Sequence, residues 1–94
     1  MKPRIQYIIE AAMQLHQKYA DSKRIQLEMV IDMAAKKIIT DEKEFMKTLN
    51  DLLFQSITES FPNDCISIAT RKIQTGVEVS VSDYRTRFII CLPE

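Results

Sequence analysis

Apolar residues Phe45, Leu49, Leu52, Leu53 and Ile57 recur every three or four positions, which predicts an amphipathic helix over residues 40–61. Asp41 stands where a side-chain oxygen can accept a first-turn N–H, and Glu44 three residues on occupies the answering position of a capping box. Glu42 and Glu44 also lie at the positive end of the helix dipole. Pro62 and Asn63 stop the pattern after Phe61. A second stripe, Ile5, Ile8, Ile9, Ala12, Leu15, His16 and Tyr19, predicts a helix over residues 1–20, with Pro3 in its first turn and Glu10, Gln14, Gln17 and Lys18 opposite.

Between the helices, residues 25–31 alternate, so Ile25, Leu27, Met29 and Ile31 should face a core from a strand. Residues 32–37 form a connection with a short helical turn at 33–35, and 37–40 a short extended segment. After the second helix come three strand patterns. Residues 65–72 put Ile66 and Ile68 on one face, and Gln74-Thr75-Gly76 is a compact turn. Residues 77–82 alternate most cleanly, with Val77, Val79 and Val81 inward and Glu78, Ser80 and Ser82 toward water. A second turn at Asp83-Tyr84-Arg85-Thr86 should join them as an antiparallel hairpin to residues 87–92. That last run is apolar on both faces, the pattern of a strand in a sheet interior or against covered surface, and Pro93 ends it. The expected fold is α+β: two helices packed on one face of a mixed, mostly antiparallel sheet, in a single domain over 1–94.

Composition narrows the function classes. With 46% hydrophobic and 28% charged residues the chain reads as a soluble globular protein. Thirteen basic and 13 acidic residues leave no net charge, which argues against a nucleic-acid partner. Lys36-Lys37 and Arg71-Lys72 read as solvated faces. No apolar run approaches the ~20 residues of a membrane span, and the opening residues lack a signal-peptide pattern. Cys65 and Cys91 have no metal-ligand spacing and lie in apolar runs, so both are expected as buried free thiols in a reducing, cytoplasmic setting. His16, the one histidine, sits at the margin of a helical stripe and is expected to pack rather than react. Gly76 is the one glycine, and a glycine-rich phosphate cradle cannot be built from it.

Several phrases, in this order, resemble the ATP-binding (Bergerat-fold) domain of sensor histidine kinases. IQYIIEAAMQLHQKYADSKRIQLEMVID looks like the lead-in helix, turn and first strand, and IITDEKEFMKTLNDLLFQSI like the short strand and the helix bearing the N box. GVEVSVSD is similar to the strand entering the G1 box, and RFIICLPE to the closing strand. The resemblance implies a reduced version of that domain without its lid. It also implies that Gln55 stands where the N-box Asn helps hold magnesium, with Asp51 opening that box. Asp83 matches the Asp that contacts adenine. The departures fall on these positions. Gln55 places its amide oxygen one methylene further out than Asn, which magnesium's strict octahedron tolerates poorly. Tyr84-Arg85-Thr86-Arg87 supply neither glycine of the G1 box, and the lid and second glycine box are missing between Asp83 and the closing strand.

Asp51, Gln55 and Asp83 are therefore expected to be vestigial surface or capping residues, with no catalytic residue, metal or cofactor. The expected function is that of a non-catalytic binding or regulatory module for a signalling protein, with Tyr84, Arg85 and Arg87 as candidate contacts. The alternative is a residual nucleotide-binding protein or weak ATPase that takes ATP with magnesium through Asp83, Gln55 and Asp51. A fold alone does not decide between the two.

Overall fold

The computed structural model describes residues 4–35 and 41–93, and the extended segment expected at 37–40 lies outside them. Its elements run α1 (Arg4–Ser22), β1 (Gln26–Val30), α2 (Glu42–Glu59), β2 (Cys65–Ile73), β3 (Gly76–Ser82) and β4 (Arg87–Pro93). Helix α2 starts as its sequence requires: the Asp41 carboxylate accepts the Glu44 N–H at 3.0 Å and caps the first turn.

The sheet order is β1-β2-β3-β4. β1 and β2 are parallel, pairing Leu27 with Ile66 and Met29 with Ile68. Helix α2 makes the crossover that a parallel pair needs. The other two pairings are antiparallel hairpins, with Ile73 opposite Gly76 in one and Ser82 opposite Arg87 in the other. Gly76 closes the first hairpin at φ +153°, and a Cβ there would come within 2.1 Å of the Leu92 carbonyl oxygen, so no side chain fits without moving β4.

One face of the sheet carries both helices. Ile5 and Ile9 from α1 and Leu49, Leu53 and Ile57 from α2 are fully buried with Ile66 and Ile68 of β2 and Val79 and Val81 of β3. Every inward-facing position expected in α2 and β3 lies in this core or packs partly against it. His16 bridges the helices, its Nε2 3.0 Å from Asn50 Oδ1, in the packed role expected of it. Tyr19 stacks on Phe54 at 5.4 Å between ring centroids, and its hydroxyl meets Thr58 Oγ1 at 2.8 Å.

Four expectations need correction, three of them on the sheet. Cys65 and Cys91 are free thiols but exposed, because both point to the face without helices. Among the described residues β4 is an edge strand, with Ile89 half-exposed and Phe88, Ile90 and Leu92 only partly covered. Glu78 and Ser80 do not face open water. They lie mid-strand with neighbours on both sides, and Glu78 is covered by Arg71 and Arg87, at 2.9 and 3.0 Å. On α1, Leu15 sits at the flank of the stripe and is 70% exposed.

Two substitutions check this packing. Leu53→Ala should lower the stability by about 2–5 kcal/mol, read from the denaturation midpoint, since Leu53 has no exposure in which to relax. Gly76→Ala should cost at least about 1–3 kcal/mol, because the clash is with backbone and not with a side chain that can swing away.

Candidate functional site

The residues singled out by sequence fall in two places. Asp51 and Gln55 lie on the exposed side of α2, one helical turn apart, with the exposed Phe54 beside them. Gln55 donates to Glu59 Oε1 at 3.4 Å, a bond along the helix surface. Asp83, Tyr84, Arg85 and Arg87 lie at the tip and base of the β3–β4 hairpin.

Asp83 builds that hairpin tip. Its Oδ1 accepts the N–H groups of Arg85 and Thr86, both at 2.8 Å, and the Thr86 hydroxyl at 3.2 Å. Its own N–H donates to the Thr86 carbonyl at 3.0 Å. Aspartate suits this place because its short side chain reaches the backbone two residues on, as its position predicts. The other oxygen meets Ser60 Oγ at 3.4 Å, which ties the tip to the end of α2. Burial pushes the Asp83 carboxyl up, but the Thr86 and Arg85 N–H groups outweigh it and hold the group below its ordinary range.

Arg85 joins the tip to the α2–β2 connection. Its guanidinium donates to Asp64 Oδ2 at 2.6 Å and lies over the rings of Phe61 and Tyr84, 4.7 and 4.8 Å from their centroids. Asp64 also accepts the Phe61 N–H at 2.9 Å, and that bond, followed by Arg85, holds its carboxyl low. The result is an aromatic–guanidinium–aromatic stack whose outer members are open, Phe61 at 65% and Tyr84 at 82% exposure. Of the three candidate contacts, Tyr84 is displayed, Arg85 is anchored within the chain and Arg87 is paired with Glu78. Phe61 and Asp64 escaped the sequence reading. Phe61 looked like the end of a helix, and nothing local signals that a side chain 24 positions later will lie on it.

Chemically, this corner offers two exposed rings with a partly covered, ion-paired guanidinium against both. Both carboxylates in it are occupied by backbone N–H groups of their own loops.

No family model and no curated protein sequence matches the chain. Solved structures do. The catalytic domain of histidine kinase ThkA superposes with a TM-score of 0.75 in one nucleotide-free crystal form, at 21% identity over 82% of this chain and 52% of that one. A second nucleotide-free form gives the same score at 20% identity, over 86% and 55%. The Acinetobacter baumannii histidine kinase AdeS also reaches 0.75, at 12% identity over 88% and 41%. At these identities the likeness is one of fold. The chain spans about half the length of those chains.

The carboxylates of this corner set a pH dependence. Asp83 and Asp64 are both held below the ordinary 3.8, so the unfolded chain binds more protons in acid than the folded one. Their contribution is complete above about pH 5 and is lost as pH falls through 3.8 and then through the lowered folded values. The denaturation midpoint should therefore fall in this window, and Asp83→Asn and Asp64→Asn should each flatten the fall. Part of the slope should remain from Asp32, whose carboxyl is lowered by the N–H groups of Lys72 and Ala34.

Proposed function

We propose that this chain is a non-catalytic, histidine-kinase-ATPase-like domain that acts in the cytoplasm as a binding or regulatory module for a signalling protein. The observation that carries this reading is the employment of Asp83. The residue that matches the adenine contact of the resembled family spends its Oδ1 on three hydrogen bonds inside a four-residue turn. That turn leads straight from β3 to β4, where the resembled family has its lid. Gln55 and Asp51 on α2 support the same reading, since a longer amide replaces the magnesium-holding Asn and turns along the helix to Glu59.

A surface takes the place of the pocket. Phe61, Arg85 and Tyr84 make a displayed stack of the residue types that dominate interface energetics, already ordered by Asp64 and Asp83. An ordered stack loses little side-chain entropy on contact with a partner. The exposed apolar Phe61 and Tyr84 beside the anchored charge suit a protein surface with an apolar recess.

Two measurements test the reading. ATP titrated with and without magnesium should leave the thermal midpoint unchanged. A rise equivalent to ~2.7 kcal/mol, which a ligand at ~100 times its dissociation constant produces, would overturn the non-catalytic reading. A photo-crosslinking residue at position 84 in source cells should give one discrete protein adduct, weakened by Arg85→Ala, which releases the stack. A crosslinker there that captures nothing would overturn the surface.

A further inference from the structure

We infer that a second copy of this chain pairs with the free edge of β4, so that two four-stranded sheets join antiparallel into one. The hydrogen-bond direction along β4 follows from the turn. Asp83 donates to the Thr86 carbonyl, and antiparallel pairs alternate between bonded and non-bonded. The register then directs Phe88, Ile90 and Leu92 toward β3, and Arg87, Ile89, Cys91 and Pro93 outward. The β2–β3 hairpin agrees independently. A two-residue turn between Ile73 and Gly76 makes Gly76, Glu78, Ser80 and Ser82 the partners of β2, leaving Val77, Val79 and Val81 for β4. Pro93, which has no N–H to give, is thus at an outward position, where a strand tolerates it.

Among the described residues β4 ends the sheet. Its outward backbone groups at Arg87, Ile89 and Cys91 are flanked by apolar side chains on both faces: Ile89 and Cys91 exposed on one, Phe88, Ile90 and Leu92 half-covered on the other. The opposite edge differs, since β1 presents Gln26 and Glu28 on its open face, with Val30 as the one apolar residue there. An apolar edge strand invites pairing; charged residues and proline are the usual guards, and on β4 they stand only at the two ends, Arg87 and Pro93, with five apolar residues between.

The strand's own pattern argues that the occupant is a second copy. An antiparallel mate centred on Ile90 sets Ile90 against itself, Phe88 against Leu92 and Ile89 against Cys91, apolar throughout. The one formal charge on the strand, Arg87, then faces Pro93. The two Arg87 side chains fall six positions apart along the pair, about 20 Å, beyond the ~8–10 Å reach of screened charge. Each keeps its own Glu78. The pairing is isologous and closes on itself. It also places β4 in a sheet interior, where a strand apolar on both faces belongs.

Light scattering across a dilution series should give twice the monomer mass for the full chain. Ile89→Pro removes only an outward N–H, so it should keep the hairpin, checked by circular dichroism, and give the monomer mass. A wild-type chain that stays monomeric, or a folded Ile89→Pro variant that stays dimeric, would overturn the inference. If the proline variant does not fold, Ile90→Cys decides. Position 90 faces itself in the second copy as a non-hydrogen-bonded pair, about 4.5 Å between Cα atoms, so mild oxidation should yield a disulfide-linked dimer through residue 90, and a chain that remains unlinked overturns the pairing.

Discussion

Helix α2 ends without a basic residue in its last turn, and its final carbonyls need donors from elsewhere. Lys23 supplies them. Its Nζ donates to the carbonyls of Ile57 and Thr58 at 2.6 and 2.8 Å and of Ser60 at 3.1 Å. A cation there also meets the negative end of the helix dipole. Because Lys23 follows α1 directly, this contact pins the end of one helix to the end of the other. The next residues carry the constraint into the sheet. The Arg24 carbonyl accepts the Asn63 N–H at 2.8 Å, and the Asp64 carbonyl accepts the Gln26 N–H at 3.0 Å, which begins the β1–β2 ladder. Arg24 and Asn63 take positive φ, 59° and 74°, to bring these groups together. Asparagine tolerates that region; for arginine the surrounding bonds must hold it.

The β3–β4 tip hangs from the same corner. Ser60 reaches Asp83, and Arg85 reaches Asp64 and Phe61. One capped helix end thereby places α1, α2, β1, β2 and the hairpin tip relative to one another. The displayed Phe61–Arg85–Tyr84 stack is a by-product of that anchoring: the cation that ties the tip down also orders the two rings.

The two sides of the sheet have different fates. The helical side holds the contiguous core, while the other side holds mainly polar residues, two free thiols and the exposed Val30 and Ile89. Glu78 is the exception that shows how a central strand works. Arg71 and Arg87 from the strands on either side reach over it, so its carboxylate is mostly shielded from water yet paired on both oxygens. A buried carboxylate lacking such partners would be costly. The fold is that of histidine kinase catalytic domains, at a TM-score of 0.75.

The sequence by itself determined the elements and their inward faces. Leu49, Leu53 and Ile57 in α2, Ile66 and Ile68 in β2 and Val77, Val79 and Val81 in β3 are buried as their spacing requires, because periodicity is a local property of the chain. Asp41 as cap and Asp83 as turn-former were legible for the same reason, each acting on backbone two or three residues away. What lay beyond reach depended on neighbours distant in sequence. The exposure of Cys65 and Cys91, the burial of Glu78 and the edge position of β4 follow from strand order and from which face the helices cover, and no window of residues contains either. Phe61, Asp64 and Arg85 became one cluster only because Lys23 and the α2–β2 corner bring together groups 21 to 37 positions apart in the chain. Tertiary structure alone could decide that.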